Sequence, residues 1–451
     1  MEIMNFTKGK NIRKSILALF TAAAAVMTGN AQIAAIHGYT DYTNFPLGQT
    51  FSKDTEGEWS HTDPSAEFGS FYNGRTELNT YVDAANFHFV LGVRLDASLG
   101  SWYENYNTAD EADGTAGTST YFHQGNLRVD LLKGQFRIHT GKFEEWNCGY
   151  IADGYVMEAQ NIRNLADRDQ GQHFSGIELL PYGIRGLSLI GGFPVLPVDG
   201  NGINYAEHNK WKNLLKKIKL MGKYQFDNAM TVAAGLRPET HYEGTENYSE
   251  DSYFSEFWLQ LNAPKASDSF AWNATYDFRR RDVEEVGEKA FMHFGGISGR
   301  INLTDNLALK AEYRLAYASE HYIVENEKLF YETLGLDASY NIPNSSSTLG
   351  LKFVRASARD SNGTLFDTDA RIQGNYSDDL AMTVDWMPHA DAPGAGSKGS
   401  YHSFYFFPYY QKDFRNGHIR TGAEMQLTLF DAASETKAFG YRIPVAICFA
   451  F

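Results

Sequence analysis

Cysteine is almost missing from these 451 residues: Cys148 and Cys448 are the only two. Two thiols cannot staple a small scaffold, nor do they form a zinc cluster. A bridge between them is compatible with an oxidising compartment, and two unpaired small residues are the simpler account. Catalytic signatures are absent too. The chain has no GxSxG, no HExxH and no Walker loop, and its 13 His are scattered singly. His37, His139, His293 and His418 are each open to a barrel-wall acid–base reading, but the sequence selects none of them. Basic charge is in deficit, 40 Lys and Arg against 55 Asp and Glu, and a net charge of −15 disfavours nucleic acid as a partner. Beyond residue 31 no apolar run is long enough for a membrane helix, so a membrane-resident form must be a closed barrel.

The one short apolar run lies at the start. Lys8, Lys10, Arg13 and Lys14 precede Ile16–Met27, and Gly29-Asn30-Ala31 follows. A basic segment, an apolar segment and small residues in that order predict a cleaved export signal over 1–31, with 32–451 as the mature protein. Cleavage removes four basic residues and Glu2, which takes the charge from −15 to −18.

What the mature chain does contain is alternation. Phe87, Phe89, Leu91, Val93 and Leu95 alternate with His88, Val90, Gly92, Arg94 and Asp96. Leu307, Leu309, Ala311, Tyr313, Leu315 and Tyr317 alternate with Ala308, Lys310, Glu312, Arg314 and Ala316. Segments at 270–279 and 419–429 repeat the pattern. Period two means strands with one apolar face and one polar or charged face. Nine tight turns are predicted: Ala84-Ala85-Asn86, Lys133-Gly134, Pro181–Arg185, Asp227-Asn228, Pro264–Asp268, Thr304-Asp305-Asn306, Pro343–Ser346, Ser377–Asp379 and Asn416-Gly417. Longer polar segments lie between them at 43–74, 97–121, 142–173, 194–215 and 238–252. Two strands per turn, plus the first and last, predict about 20 strands, and merging short ones gives 16 or 18.

The last eleven residues, YRIPVAICFAF, place Tyr441, Ile443, Val445, Ile447, Phe449 and Phe451 on one face. That segment resembles the terminal strand of bacterial outer-membrane β-barrels, whose alternating apolar residues finish on a Phe. The resemblance implies an all-β fold: one transmembrane antiparallel barrel with short periplasmic turns and long extracellular loops. It implies a last strand that pairs with the first near Ile33–Tyr42. Its apolar row then faces lipid and Arg442 faces the lumen. Aromatics near strand ends (Trp211, Trp386, 405–410, Tyr340, Tyr376) are expected to form interfacial girdles, with a glycan-binding platform as the rival use.

The connection 142–173 resembles, by its order in the chain, the in-folded third loop of general bacterial porins. That likeness implies a constriction with Glu144, Glu145, Asp153 and Glu158 facing Arg75, Arg94, Arg128 and Arg137. Opposed charges across a wet lumen set up a transverse field that favours polar solutes and biases ion passage. The bland alternative is that these arginines pair with nearby acids only to satisfy a polar wall. The expected function is passive diffusion of small polar solutes and ions, with a faint preference for anions and no cofactor. Expected partners are outer-membrane lipid, the barrel-assembly machinery and two further copies in a homotrimer. The competing readings are a hydrophobic-substrate transporter, a surface adhesin, or a secreted soluble β-protein that binds glycans. Lys210, Lys212, Lys216, Lys217 and Lys219 form a basic patch, suited either to lipid phosphates at a rim or to a solvated loop end.

Overall fold

The computed structural model describes residues 33–54, 56–67, 74–97, 118–142, 173–195, 211, 215, 218–242, 252–267, 269–283, 288–320, 328–360, 400–430 and 435–450. They form one antiparallel sheet of 21 strands. Two of these, Trp59–His61 and Ser65–Glu67, are three-residue strands that pair only with the upper part of the first strand. Two others, Gly417–Gly422 and Glu424–Phe430, keep one continuous register against both neighbours and are halves of a single stave. The interruption at Ala423 lies opposite Pro408, which has no N–H to give the ladder. That leaves 18 staves.

In chain order they are β1 (Ile33–Asp54), β2 (Gly74–Ala84), β3 (Phe87–Ala97), β4 (Thr118–Leu131), β5 (Phe136–Lys142) and β6 (His173–Leu179). Next come β7 (Leu187–Val195), β8 (Lys219–Gln225), β9 (Thr231–Tyr242), β10 (Ser252–Ala263), β11 (Phe270–Val283) and β12 (Glu288–Asn302). The last six are β13 (Leu307–Ala318), β14 (Leu329–Asn341), β15 (Ser347–Asp360), β16 (Ser400–Phe414), β17 (Gly417–Gly422 with Glu424–Phe430) and β18 (Glu435–Ala450).

Each stave pairs with the next, and β1 pairs with both β2 and β18, so the sheet has no edge and closes into a barrel. Closure is staggered. Ile33–Gly38 pairs only with β2, Tyr39–Tyr42 pairs with both β2 and β18 starting at Tyr39↔Ala450, and from Thr43 to Asp54 the strand continues against β18. The expected closing segment Ile33–Tyr42 is therefore placed too early by six residues, counted from Ile33 to Tyr39. Strand tilt in a closed barrel demands such an offset between the two neighbours of one stave, and alternation alone does not reveal it.

Eight of the nine predicted turns join consecutive staves at one end of the barrel, and two strands for each, plus the first and last, give the observed 18. The ninth, Ser377–Asp379, lies outside the described residues. β15 and β16, on either side of it in sequence, pair directly with each other from Ser347↔Lys412 to Arg359↔Ser400, so no stave intervenes there. That single turn accounts for the excess in a count of 20. The predicted loop 43–74 also starts too early, because β1 continues to Asp54.

Burial alternates along the staves with the period that the pattern predicts. On β10, Phe257 and Leu259 are exposed while Trp258 and Gln260 are buried. On β13, Tyr313 is exposed while Glu312 and Arg314 are buried. On β18, Ile447 and Phe449 are exposed and Arg442 is buried. Apolar side chains dominate the outward phase and most charges lie inward, the reverse of a soluble core, while Glu332 and Arg355 pair with each other on the outward phase of β14 and β15.

Candidate functional site: the inner wall of the barrel

Cross-strand partners share a face, so the register assigns every described residue to the inner or the outer wall. Arg128 pairs in register with His88 and His139, and Arg137 with Asp130 and Glu178. All six lie on the inward phase. Together they form a charged lattice over β2–β7. Arg128 Nε donates to Asp130 Oδ1 at 2.9 Å, and Arg137 stands 3.4 Å from both Asp130 and Glu178. His88 bridges Asp83 and Asp130, at 2.5 and 3.3 Å. Glu178 also meets His139 Nε2 at 3.0 Å and accepts from Ser188 Oγ at 2.8 Å.

Arg128 and Arg137 thus stand on the inner wall, and their described partners are acids of the wall itself. Sequence reasoning missed those acids. The alternation that singled out Arg137 as inward singles out Glu178 equally well, but a search aimed at loop acids passes over it. Arg75 pairs in register with Asp41 and Asp96, and Arg94 with Glu77, on the same inward phase. Glu144, Glu145, Asp153 and Glu158 lie outside the described residues, as does Phe451. Tyr441, Ile443, Val445, Ile447 and Phe449 share the outward phase of β18.

A second lattice occupies the inner wall of β11–β18, and its Glu312–Arg314 and Glu424–Arg442 pairs are far less exposed. Asp277 faces Arg279 on β11, Glu312 contacts Arg314 on β13, and Lys310 lies 3.3 Å from Asp337. Across β16–β18, Glu424 accepts from Arg442 and from the Tyr405 hydroxyl, the latter at 2.8 Å. Tyr409 donates to Asp337 at 3.1 Å, and the Arg420 guanidinium stacks over the Tyr409 ring at 5.1 Å. Paired in this way, buried carboxylates and guanidinium groups avoid the large cost of an isolated interior charge.

Three rings, Tyr405, Phe407 and Tyr409, follow one another along β16 on this inner wall, with centroids 6.3 and 5.5 Å apart. The girdle expectation for 405–410 fails for them, because every second residue of a strand changes face and the odd-numbered rings take the inward phase. Tyr410 on the even phase is exposed, as is Tyr340, while Trp386 and Tyr376 lie outside the described residues. Inward rings need room against the wall, and glycines supply it. A Cβ at Gly350, directly opposite Tyr409, would lie 2.0 Å from that ring, and one at Gly235 would lie 1.6 Å from its cross-strand partner Trp258.

The barrel is similar to solved outer-membrane channels. OccK9 (OpdG) of Pseudomonas aeruginosa matches at 11% identity over 94% of this chain and 100% of its own, with a TM-score of 0.47. The DcaP channel of Acinetobacter baumannii matches at 8% over 93% and 97%, with a TM-score of 0.43. An anion-selective porin from Comamonas acidovorans matches at 10% over 93% and 99%, with a TM-score of 0.42. No protein-family model and no curated protein matches the chain. At this level of likeness the assignment of a barrel rests on the strand pairing itself.

Proposed function

We propose that this chain is an outer-membrane channel through which small polar solutes and ions diffuse passively. The observation that carries the reading is the inversion of the two faces: a closed 18-stave barrel with apolar side chains outside and charge inside. An apolar outer surface around an edge-free sheet is stable in hydrocarbon and unstable in water. The interior offers what a hydrated solute exchanges for its water shell, namely paired guanidinium and carboxylate groups with hydroxyl and amide donors. Arg75 and Arg94 extend the β2–β7 lattice in this reading, and Glu144, Glu145, Asp153 and Glu158 are the acids proposed to oppose it.

Purified protein added to a planar bilayer is expected to give stepwise current increments. Complete absence of steps, from protein that migrates as a folded barrel, would leave an adhesin or a hydrophobic-substrate transporter as the better account. Recovery of the protein in a soluble periplasmic or culture fraction would overturn the membrane reading altogether.

A further inference from the structure

Three successive short turns carry the β2–β7 lattice. Asp83 and His88 flank the turn between β2 and β3, Asp130 and Arg137 the one between β4 and β5, and Glu178 and Ser188 the one between β6 and β7. The lattice therefore stands at the short-turn mouth of the barrel. Histidine is the side chain that ordinarily changes charge between about pH 5 and pH 8, and two histidines flank Arg128 here. His88, Arg128 and His139 are consecutive partners in one row across β3, β4 and β5. Beyond His139 the row runs through Gly176 and Gly192, which carry no side chain, to Lys219 on β8. Lys219, counted with a basic patch on sequence grounds, is 3% exposed and belongs to this inner wall, while Lys210, Lys212, Lys216 and Lys217 lie outside the described residues.

Both imidazoles face carboxylates. His88 Nδ1 lies 2.5 Å from Asp83 and its Nε2 3.3 Å from Asp130, and His139 Nε2 lies 3.0 Å from Glu178. A neutral imidazole has one N–H and donates to one of the two aspartates, whereas an imidazolium donates to both. Protonation thus adds charge without undoing a bond of the wall. The groups that face His88 are Asp83 on β2 with Arg128 and Asp130 on β4. Those around His139 are Arg128 on β4, Arg137 on its own stave, Glu178 on β6 and Ser188 on β7. Three carboxylates against two guanidinium groups leave the lattice at −1 with both imidazoles neutral and at +1 with both protonated, and Lys219 adds one positive charge to either state.

We infer that His88 and His139 set the ion preference of the short-turn mouth, which turns toward anions as the pH falls through the neutral range. The inference rests on the channel reading above. Reversal potentials of the full protein are measured in a planar bilayer across a KCl gradient. Acidification from about pH 8 to about pH 5 is expected to raise the chloride-to-potassium permeability ratio about threefold, the effect of two unit charges about 10 Å from the permeating ions at a Debye length of about 10 Å. H88Q with H139Q, which keeps a donor toward each acid, is expected to lose more than half of that shift. H88K with H139K, cationic throughout the range, is expected to show at the higher pH the preference that the parent reaches at the lower one. His37 and His418 also take the inward phase, on β1 and β17. A shift that survives intact in H88Q with H139Q, or that is lost instead in H37Q with H418Q, would overturn the inference and leave the channel reading standing. Stepwise current with a pH-independent reversal potential in the parent would do the same. Absence of current steps at every pH would overturn both.

Discussion

The inner wall of the barrel has two halves that use the same residue types in different ways. Over β2–β7 the charged side chains stay in contact with solvent: Arg128 is 33% and Arg137 is 27% exposed. Over β11–β18 the tightest pairs do not, with Arg314 and Glu312 at 3% and Arg442 at 4%, although Lys310 keeps 28%. The difference begins with what stands next to the charges. β2–β7 offer histidines beside the arginines and the small residues Ser188 and Gly176 beside Glu178 and His139, whereas Tyr405 stands beside Glu424, and Tyr409 beside Arg420 and Asp337. Water screens a charge that it reaches, and there an ion pair contributes little to stability and much to the local field. Excluded water makes the same pair indispensable once built, because neither partner tolerates loss of the other. On the channel reading proposed above, one half acts on solutes and the other holds the wall together.

The sharpest way to break this comparison is to remove one member of a buried pair. Arg442→Ala strands the Glu424 carboxylate and is expected to destabilise the barrel by about 3–5 kcal/mol. The measurement is urea unfolding in phospholipid vesicles, followed by tryptophan emission and by the gel shift of folded barrel. A double change to Met at positions 424 and 442 is expected to recover most of the loss, since an apolar pair of similar volume carries no orphaned charge. If R442A unfolds like the parent, the two halves do not differ in kind.

Next in size is a test of the outer face. Leu336→Arg on β14 places a charge on the outward phase and is expected to cost about 2–4 kcal/mol in a bilayer if the site lies near its midplane. Equal stability of the variant in vesicles would argue against lipid contact on that wall. A smaller effect follows from the ring-against-glycine contact. Gly350→Ala forces the Tyr409 ring off the wall and strains its bond to Asp337, a cost of about 1–3 kcal/mol. The matching change at an exposed position, Gly183→Ala in the turn after β6, meets nothing within 4 Å and is expected to be nearly neutral.

The sequence carries the outer face of this barrel more legibly than the inner one, for a physical reason. Lipid asks only for apolar character at every second residue, so Leu309, Tyr313 and Leu315 declare their face without knowledge of any neighbour. Tight turns are equally local, and eight of nine coincide with observed connections because Asn, Asp, Gly and Pro act through their own backbone angles. The inner wall is built from contacts between staves distant in sequence. Tyr409 meets Asp337 across 72 residues, and Arg137 meets Glu178 across 41. Register and stagger decide those pairs, and neither is written in a single strand. The odd phase of 405–409 is legible once the strand is fixed, but a cluster of rings near a strand end reads as a girdle until then.

The smallest effect on stability belongs to the open half, and it is the one that bears on function. Arg128→Gln with Arg137→Gln removes two positive charges from the solvent-exposed lattice while leaving Asp130, Glu178 and Asp83 in place. These pairs are half-buried, and their arginines still reach solvent, so each contributes about 1 kcal/mol, the upper end for accessible pairs, and folding is expected to survive. The local charge, however, moves from nearly balanced to negative, and a ring of uncompensated carboxylates favours cations. Reversal potentials in a salt gradient should therefore shift toward the cation equilibrium value, and the shift should shrink as salt rises, because the Debye length falls from about 10 Å at 0.1 M to about 3 Å at 1 M. Adding Arg94→Gln, on the inward phase by its register with Glu77, should enlarge the shift if that residue shares the lattice. Unchanged potentials in the double variant, with step size preserved, would mean that permeating ions do not pass close to β2–β7, and the distinction between a working wall and a holding wall would fail on its functional side.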